Sequence, residues 1–140
     1  MAKPIIYVLL GPNHNMLGER EPHLYGTQTM GEVEAFCTEQ SAGMGMDIVF
    51  RQSNHEGDML DWINEANGIS ICVVLQCQRA RPTLLVLQSA AKAVLVAVIE
   101  VHVTNIFRRH DRPASELSQV DCGLITGFGA DSYRLGMLAV

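Results

Sequence analysis

Apolar residues along this chain fall into short continuous runs, separated by stretches whose apolar positions recur with helical spacing. Ile5 to Leu10 is one such run. It closes at Gly11-Pro12, which predicts a buried strand ending in a turn. Thr29-Met30-Gly31-Glu32 fits a capping box, with Thr29 as N-cap and Glu32 reaching back. A helix follows, with Val33, Phe36 and Cys37 on one face, and ends near Gly43. Met46 to Phe50 reads as a second strand. Asp58 to Ala66 reads as a second helix, with Met59, Leu60 and Ile63 inward and Asn67-Gly68 as its C-cap. Ile69 to Leu75 is a third strand, Thr83 to Lys92 a helix, Val94 to Val101 a fourth strand and Cys122 to Phe128 a fifth. Asp131 to Leu138 closes the chain as a short helix.

Buried strands alternating with amphipathic helices imply a parallel sheet covered on both faces. Five strands in 140 residues predict an α/β fold: a flavodoxin-like, doubly wound, five-stranded parallel sheet with helices on both faces, in a single domain over residues 1–140. In such sheets ligands sit outside the carboxyl ends of the strands. The polar residues that follow each strand therefore carry the functional question.

Composition narrows the classes. Hydrophobic residues make up 48% of the chain, which predicts a sheet buried on both sides or further burial between subunits. The net charge of −5 contains no long block of like charge, so nucleic acid is not an expected partner. Arg108, Arg109, His110 and Arg112 form one short basic cluster, sized for a small anion or for a solvated turn. The four cysteines form no CxxC pair and read as reduced thiols of a cytoplasmic protein. The first apolar run is too short for a signal peptide, and no run approaches the roughly 18 residues of a membrane span. Histidines are scattered without ligand spacing, so no metal site is expected.

The loop from Gly11 to Gly26 is long for a strand-to-helix connection and carries Arg20 and Tyr25 between glycines. It reads either as a binding loop or as surface. Gln52-Ser53-Asn54-His55-Glu56-Gly57 precedes a helix, where N-capping is the first explanation. Glu100 and His102 lie two apart on a strand and therefore share a side. A carboxylate so placed fixes the imidazole tautomer, as an oriented general acid or base requires. A plain hydrogen-bonded histidine at a strand end fits the same spacing.

Three motifs resemble the type II 3-dehydroquinate dehydratase family. They are Gly11-Pro12-Asn13-x-Asn15-x-Leu17-Gly18-x-Arg20-Glu21-Pro22-x-x-Tyr25-Gly26, the stretch Gln52 to Gly57, and Glu100-Val101-His102-x-Thr104-Asn105-Ile106. The stretch from Gly123 to Tyr133 is also similar, and the order holds over nearly the whole chain. The resemblance implies a cofactor-independent hydro-lyase. It would eliminate water from 3-dehydroquinate through an enolate, as in the shikimate pathway or in quinate catabolism. It implies Tyr25 as base, with Arg20 favouring the tyrosinate, His102 as general acid oriented by Glu100, and Asn13 organising the centre. Val103, Thr104 and Arg109 fall on substrate-binding positions. The resemblance further implies a homododecamer built of trimers, with no membrane or nucleic-acid partner.

The stretch after strand three departs from the family pattern. Gln76 stands where the family has an asparagine that holds a water near the enolate. Pro82 stands on a histidine that contacts the ring hydroxyls, and Ser89 on an aspartate lent by a neighbouring subunit. Arg112 falls one position from the arginine that completes this set, while Arg79 and Arg81 add cations. Three readings follow: a working 3-dehydroquinate dehydratase, a related lyase for another anionic cyclic hydroxy-ketone held by Arg79 or Arg81, or a catalytically impaired oligomeric paralogue.

Overall fold

The computed structural model describes residues 2–12, 14–16, 28–76, 89–105 and 123–139. Five strands run β1 (Ile5–Leu10), β2 (Asp47–Gln52), β3 (Cys72–Gln76), β4 (Ala97–His102) and β5 (Gly123–Thr126). All pair in parallel, in the order β2-β1-β3-β4-β5. Chain order reverses at β1, which has β2 on one side and β3 on the other. This is the flavodoxin-like doubly wound sheet expected from the alternation of runs.

Strand alternation divides the core into two layers. Tyr7, Leu9, Val73, Leu75 and Val98 face α2 (Glu56–Ala66), with Met59, Ile63 and Ala66 packed on them. Ile6, Val8, Leu10, Cys72, Val74 and Val101 face α1 (Met30–Gly43) and α3 (Asp131–Leu138). Leu9, Leu10, Ile63 and Leu75 are fully buried. Each such side chain contributes roughly 1.5–3 kcal/mol relative to exposure. Gly136 lets α3 approach this second layer. A Cβ there would lie 3.1 Å from Val101 Cγ2 and 3.4 Å from Val74 Cγ1.

Caps and turns set the boundaries. Thr29 caps α1, accepting from Glu32 N–H at 3.2 Å, and its hydroxyl donates to Glu32 Oε1 at 3.3 Å. The Glu32 carboxylate thus meets the cap hydroxyl. The α2 helix begins at Glu56, two residues before the expected Asp58, because Ser53 acts from upstream. Its hydroxyl donates to Asp58 Oδ2 at 2.6 Å and accepts from His55 N–H at 2.9 Å. The third strand starts at Cys72 instead of Ile69. Ile69 and Ser70 N–H still donate to Ala66 O, prolonging the end of α2. The fourth starts at Ala97 instead of Val94, since Asn67 Oδ1 accepts from Leu95 and Val96 N–H at 3.0 and 3.3 Å. Residues 89–93 are helical, the far end of the helix expected from Thr83 to Lys92. Residues 83–88 and Cys122 lie outside the described residues. Among those described, no helix is long and apolar enough to cross a membrane.

Candidate active site

At the carboxyl end of β4, Glu100 is fully buried and His102 nearly so. Their spacing of two puts both side chains toward the α2 layer, continuing the side of Val98. His102 Nε2 is hydrogen-bonded to Glu100 Oε2. A carboxylate accepts, so Nε2 is the donor. This tautomer leaves Nδ1 as the ring nitrogen able to take up or release a proton. A buried carboxylate needs such a partner, because desolvation of an unpaired charge costs several kcal/mol.

Beyond His102 the chain bends through Val103 and Thr104 to Asn105. Gly127 N–H donates to His102 O at 3.0 Å and Gly129 N–H to Val103 O at 2.9 Å. Thr126 Oγ1 donates to Thr104 O at 2.9 Å. The end of β5 and the turn that follows it therefore hold the segment beside the Glu100–His102 pair.

The ends of the first three strands meet at Gly11. Gly11 N–H donates to Gln76 O at 2.7 Å. Gly11 O accepts from Gln52 Nε2 at 3.3 Å and from His14 Nδ1 at 2.9 Å. His14 is buried in the 3-10 turn His14–Met16. Since a carbonyl only accepts, Nδ1 of His14 carries a proton. These contacts secure the root of the loop that leads to Arg20 and Tyr25.

Register places Leu10 between Gln52 and Gln76 in one row. Alternation sets this row on the α1 side, opposite to Glu100 and His102, so Gln76 and the acid–base pair approach each other only across the carboxyl edge. Gln76 is 4% exposed, and among the described residues its buried Oε1 has no hydrogen-bond partner. An acceptor left so costs about 1–3 kcal/mol.

The structure thus brings Glu100, His102, Val103 and Thr104 together on β4 and its following bend, with Gln76 on neighbouring β3. Ser89 is exposed at the start of the helical stretch 89–93. Asn13, Arg20, Tyr25, Arg79, Arg81, Arg109 and Arg112 lie outside the described residues, as do Pro82, Cys77 and the basic cluster around Arg108. Sequence reasoning passed over His14, Thr126 and the individual role of Ser53. Their partners are backbone groups or a nearby carboxylate, and only the residue types, short and polar beside glycines or ahead of a helix, hinted at such a role. Cys37 and Cys72 are both buried. Burial pushes Cys37 up to about 12, which keeps it protonated and unreactive. Among the described residues, no three of His, Cys, Asp and Glu converge as metal ligands would.

A doubly wound sheet with an oriented imidazole at its carboxyl edge defines an α/β protein equipped for proton transfer. The chain belongs to the class II dehydroquinase family, whose pattern it matches over residues 4–140. It is 48% identical over 136 residues to the 3-dehydroquinate dehydratase of Azorhizobium caulinodans, covering 96% of this chain and 92% of that one. With the 3-dehydroquinate dehydratase of Phenylobacterium zucineum it shares 43% identity over 140 residues, covering 99% and 96%. The crystal structure of type II dehydroquinase from Propionibacterium acnes superposes with a TM-score of 0.91 at 34% identity, covering 99% of this chain and 96% of that one.

Proposed function

We propose that this protein is a type II 3-dehydroquinate dehydratase, acting as one domain over residues 1–140. The observation that carries the reading is the buried Glu100–His102 pair at the carboxyl edge of a chain that belongs to this family over nearly its full length. Tyr25, its tyrosinate favoured by Arg20, removes the proton beside the ketone and leaves an enolate. His102 then delivers the proton from Nδ1 to the departing hydroxyl, which leaves as water while the carbon–carbon double bond forms. Glu100 keeps Nε2–H engaged and the ring in place. Asn13 organises the centre. Val103 and Thr104 N–H groups, Arg109 and Arg112 receive the substrate carboxylate and neighbouring oxygens. The unpartnered Oε1 of Gln76 supports a hydrogen bond from a bound water or substrate hydroxyl.

Purified protein is expected to convert 3-dehydroquinate to 3-dehydroshikimate, read by the ultraviolet absorbance of the conjugated enone. Tyr25→Phe should nearly abolish turnover without unfolding the protein. Activity that survives it would remove Tyr25 from the role of base.

A second reading concerns the substrate. Arg79, Arg81 and Pro82 change the loop that meets the ring hydroxyls, which suits a related hydroxy-ketone with one more anionic group. Arg79→Ala together with Arg81→Ala should then weaken that substrate selectively. Unchanged turnover of every candidate removes this reading.

The reading extends to a homododecamer of trimers in the cytoplasm, working in the shikimate pathway of aromatic amino acid biosynthesis or in quinate catabolism. Ile69, Ile71 and Leu95, exposed around the amino ends of β3 and β4, supply apolar surface that suits subunit contact. Light scattering giving the mass of a single chain would contradict the assembly.

A further inference from the structure

Three successive carbonyls at the end of β4 and just beyond it, those of His102, Val103 and Thr104, accept from one segment, residues 126–129. In a planar trans peptide the C=O of one residue and the N–H of the next point in opposite directions. No peptide bond here is cis. The N–H groups of Val103, Thr104 and Asn105 therefore all point away from that segment. Successive N–H groups that share a direction form a concavity suited to an anion. His102, the proton donor, stands at the start of the same bend.

The supporting turn is built for close approach. Gly127 has φ +96°. A Cβ there would lie 3.2 Å from Asn105 Cβ and 3.5 Å from its Cα. Gly129 has φ +61°. Glycine is thus favoured at Gly127 by its conformation, and a side chain there would crowd Asn105. Two of the three supports are backbone N–H groups. The third, from Thr126 to Thr104 O, comes from a side chain, so substitution can remove it while leaving the rest of the turn in place.

We propose that Thr126 is a positioning residue for anion recognition. Its hydroxyl fixes the Thr104–Asn105 peptide, and thereby holds the bend from which the Val103 and Thr104 N–H groups meet the substrate carboxylate. The inference rests on the carboxylate reading above, and it adds a residue that touches no substrate.

Thr126→Val removes the hydroxyl at nearly constant shape, and Thr126→Ser restores it. The measurements are KM and kcat for 3-dehydroquinate, the Kd of 3-dehydroshikimate by titration calorimetry, and Tm. Thr126→Val should raise KM and Kd about tenfold, the equivalent of one hydrogen bond of about 1.4 kcal/mol, while kcat stays within about threefold. Thr126→Ser should return both to within about twofold of the unchanged protein. Should the valine variant not fold, Thr126→Ala is read for the same split. Unchanged KM and Kd, a loss confined to Tm or kcat, or no rescue by serine would each overturn the role. An unchanged protein that binds 3-dehydroshikimate but does not turn over 3-dehydroquinate would sink the dehydratase reading, while the Kd series still judges Thr126. If it binds no 3-dehydroshikimate, the positioning role falls as well.

Discussion

Two glutamates in this fold each hold a ring-bearing partner, in opposite surroundings. Glu100 lies fully buried on β4 and accepts from His102 Nε2. Glu65 lies on α2 with 43% of its side chain exposed, accepting from Tyr7 Oη at 2.6 Å and Arg51 Nη1 at 2.8 Å. Arg51 also lies 5.8 Å from the Tyr7 ring centroid and 5.5 Å from that of Trp62. The hydrogen bond from Tyr7 holds the Glu65 carboxyl below its ordinary range, helped by Arg51 and opposed by desolvation. Burial, then the bond to Glu65, pushes Tyr7 up to about 12. Water screens the exposed group, so it braces α2 against β1 and β2 at small energetic effect. Burial removes that screening around Glu100, so its hydrogen bond with His102 lies in low-dielectric surroundings. The difference lies in position: β4 carries its carboxylate to the edge where ligands bind, and α2 keeps Glu65 on the outer surface.

Between the two glutamates, the larger effect should come from Glu100→Gln. An amide can still meet His102 Nε2 but has lost the charge that holds the tautomer. Turnover should fall on the order of 100-fold or more, with Tm little changed. A variant as active as the unchanged protein would erase the distinction between the two glutamates. Arg51→Ala should cost about 1 kcal/mol of stability by denaturant titration and leave kcat within about twofold. A loss of turnover there would show that the brace reaches the site.

The smallest effects are pH-dependent. Glu65 has a depressed carboxyl in the fold, so its contribution is present above the unfolded value and lost as pH falls through the folded one. Melting curves of Glu65→Gln should therefore show a shallower acid limb. Tyr7 is raised from 10.0 to about 12, so its contribution is present below pH 10.0 and lost as pH rises toward 12. Tyr7→Phe should flatten that part of the alkaline limb. Limbs unchanged by both substitutions would mean that the Tyr7–Glu65–Arg51 cluster carries no coupling at all.

Much of this was legible in the sequence because it depends on local spacing. The apolar run Ile5 to Leu10 and the wholly buried β3 announce strands covered on both faces. The spacing of Glu100 and His102 is enough to place them on one side of a strand. What depends on register or on distant partners was hidden. Nothing near Leu10 says that Gln52 and Gln76 flank it. The hydroxyl of Thr126 finds a carbonyl 22 residues away. The early part of the third apolar run, Ile69 and Ser70, is claimed by the turn at the end of α2, a competition that periodicity alone does not reveal.

The most direct test of the account is turnover of 3-dehydroquinate, followed by enone absorbance, for the unchanged protein beside His102→Ala. The account predicts robust product formation from the first and a loss on the order of 100- to 10,000-fold from a folded second. Equal rates from the two, or no product from either, would contradict the assignment of His102 as the acid of a 3-dehydroquinate dehydratase.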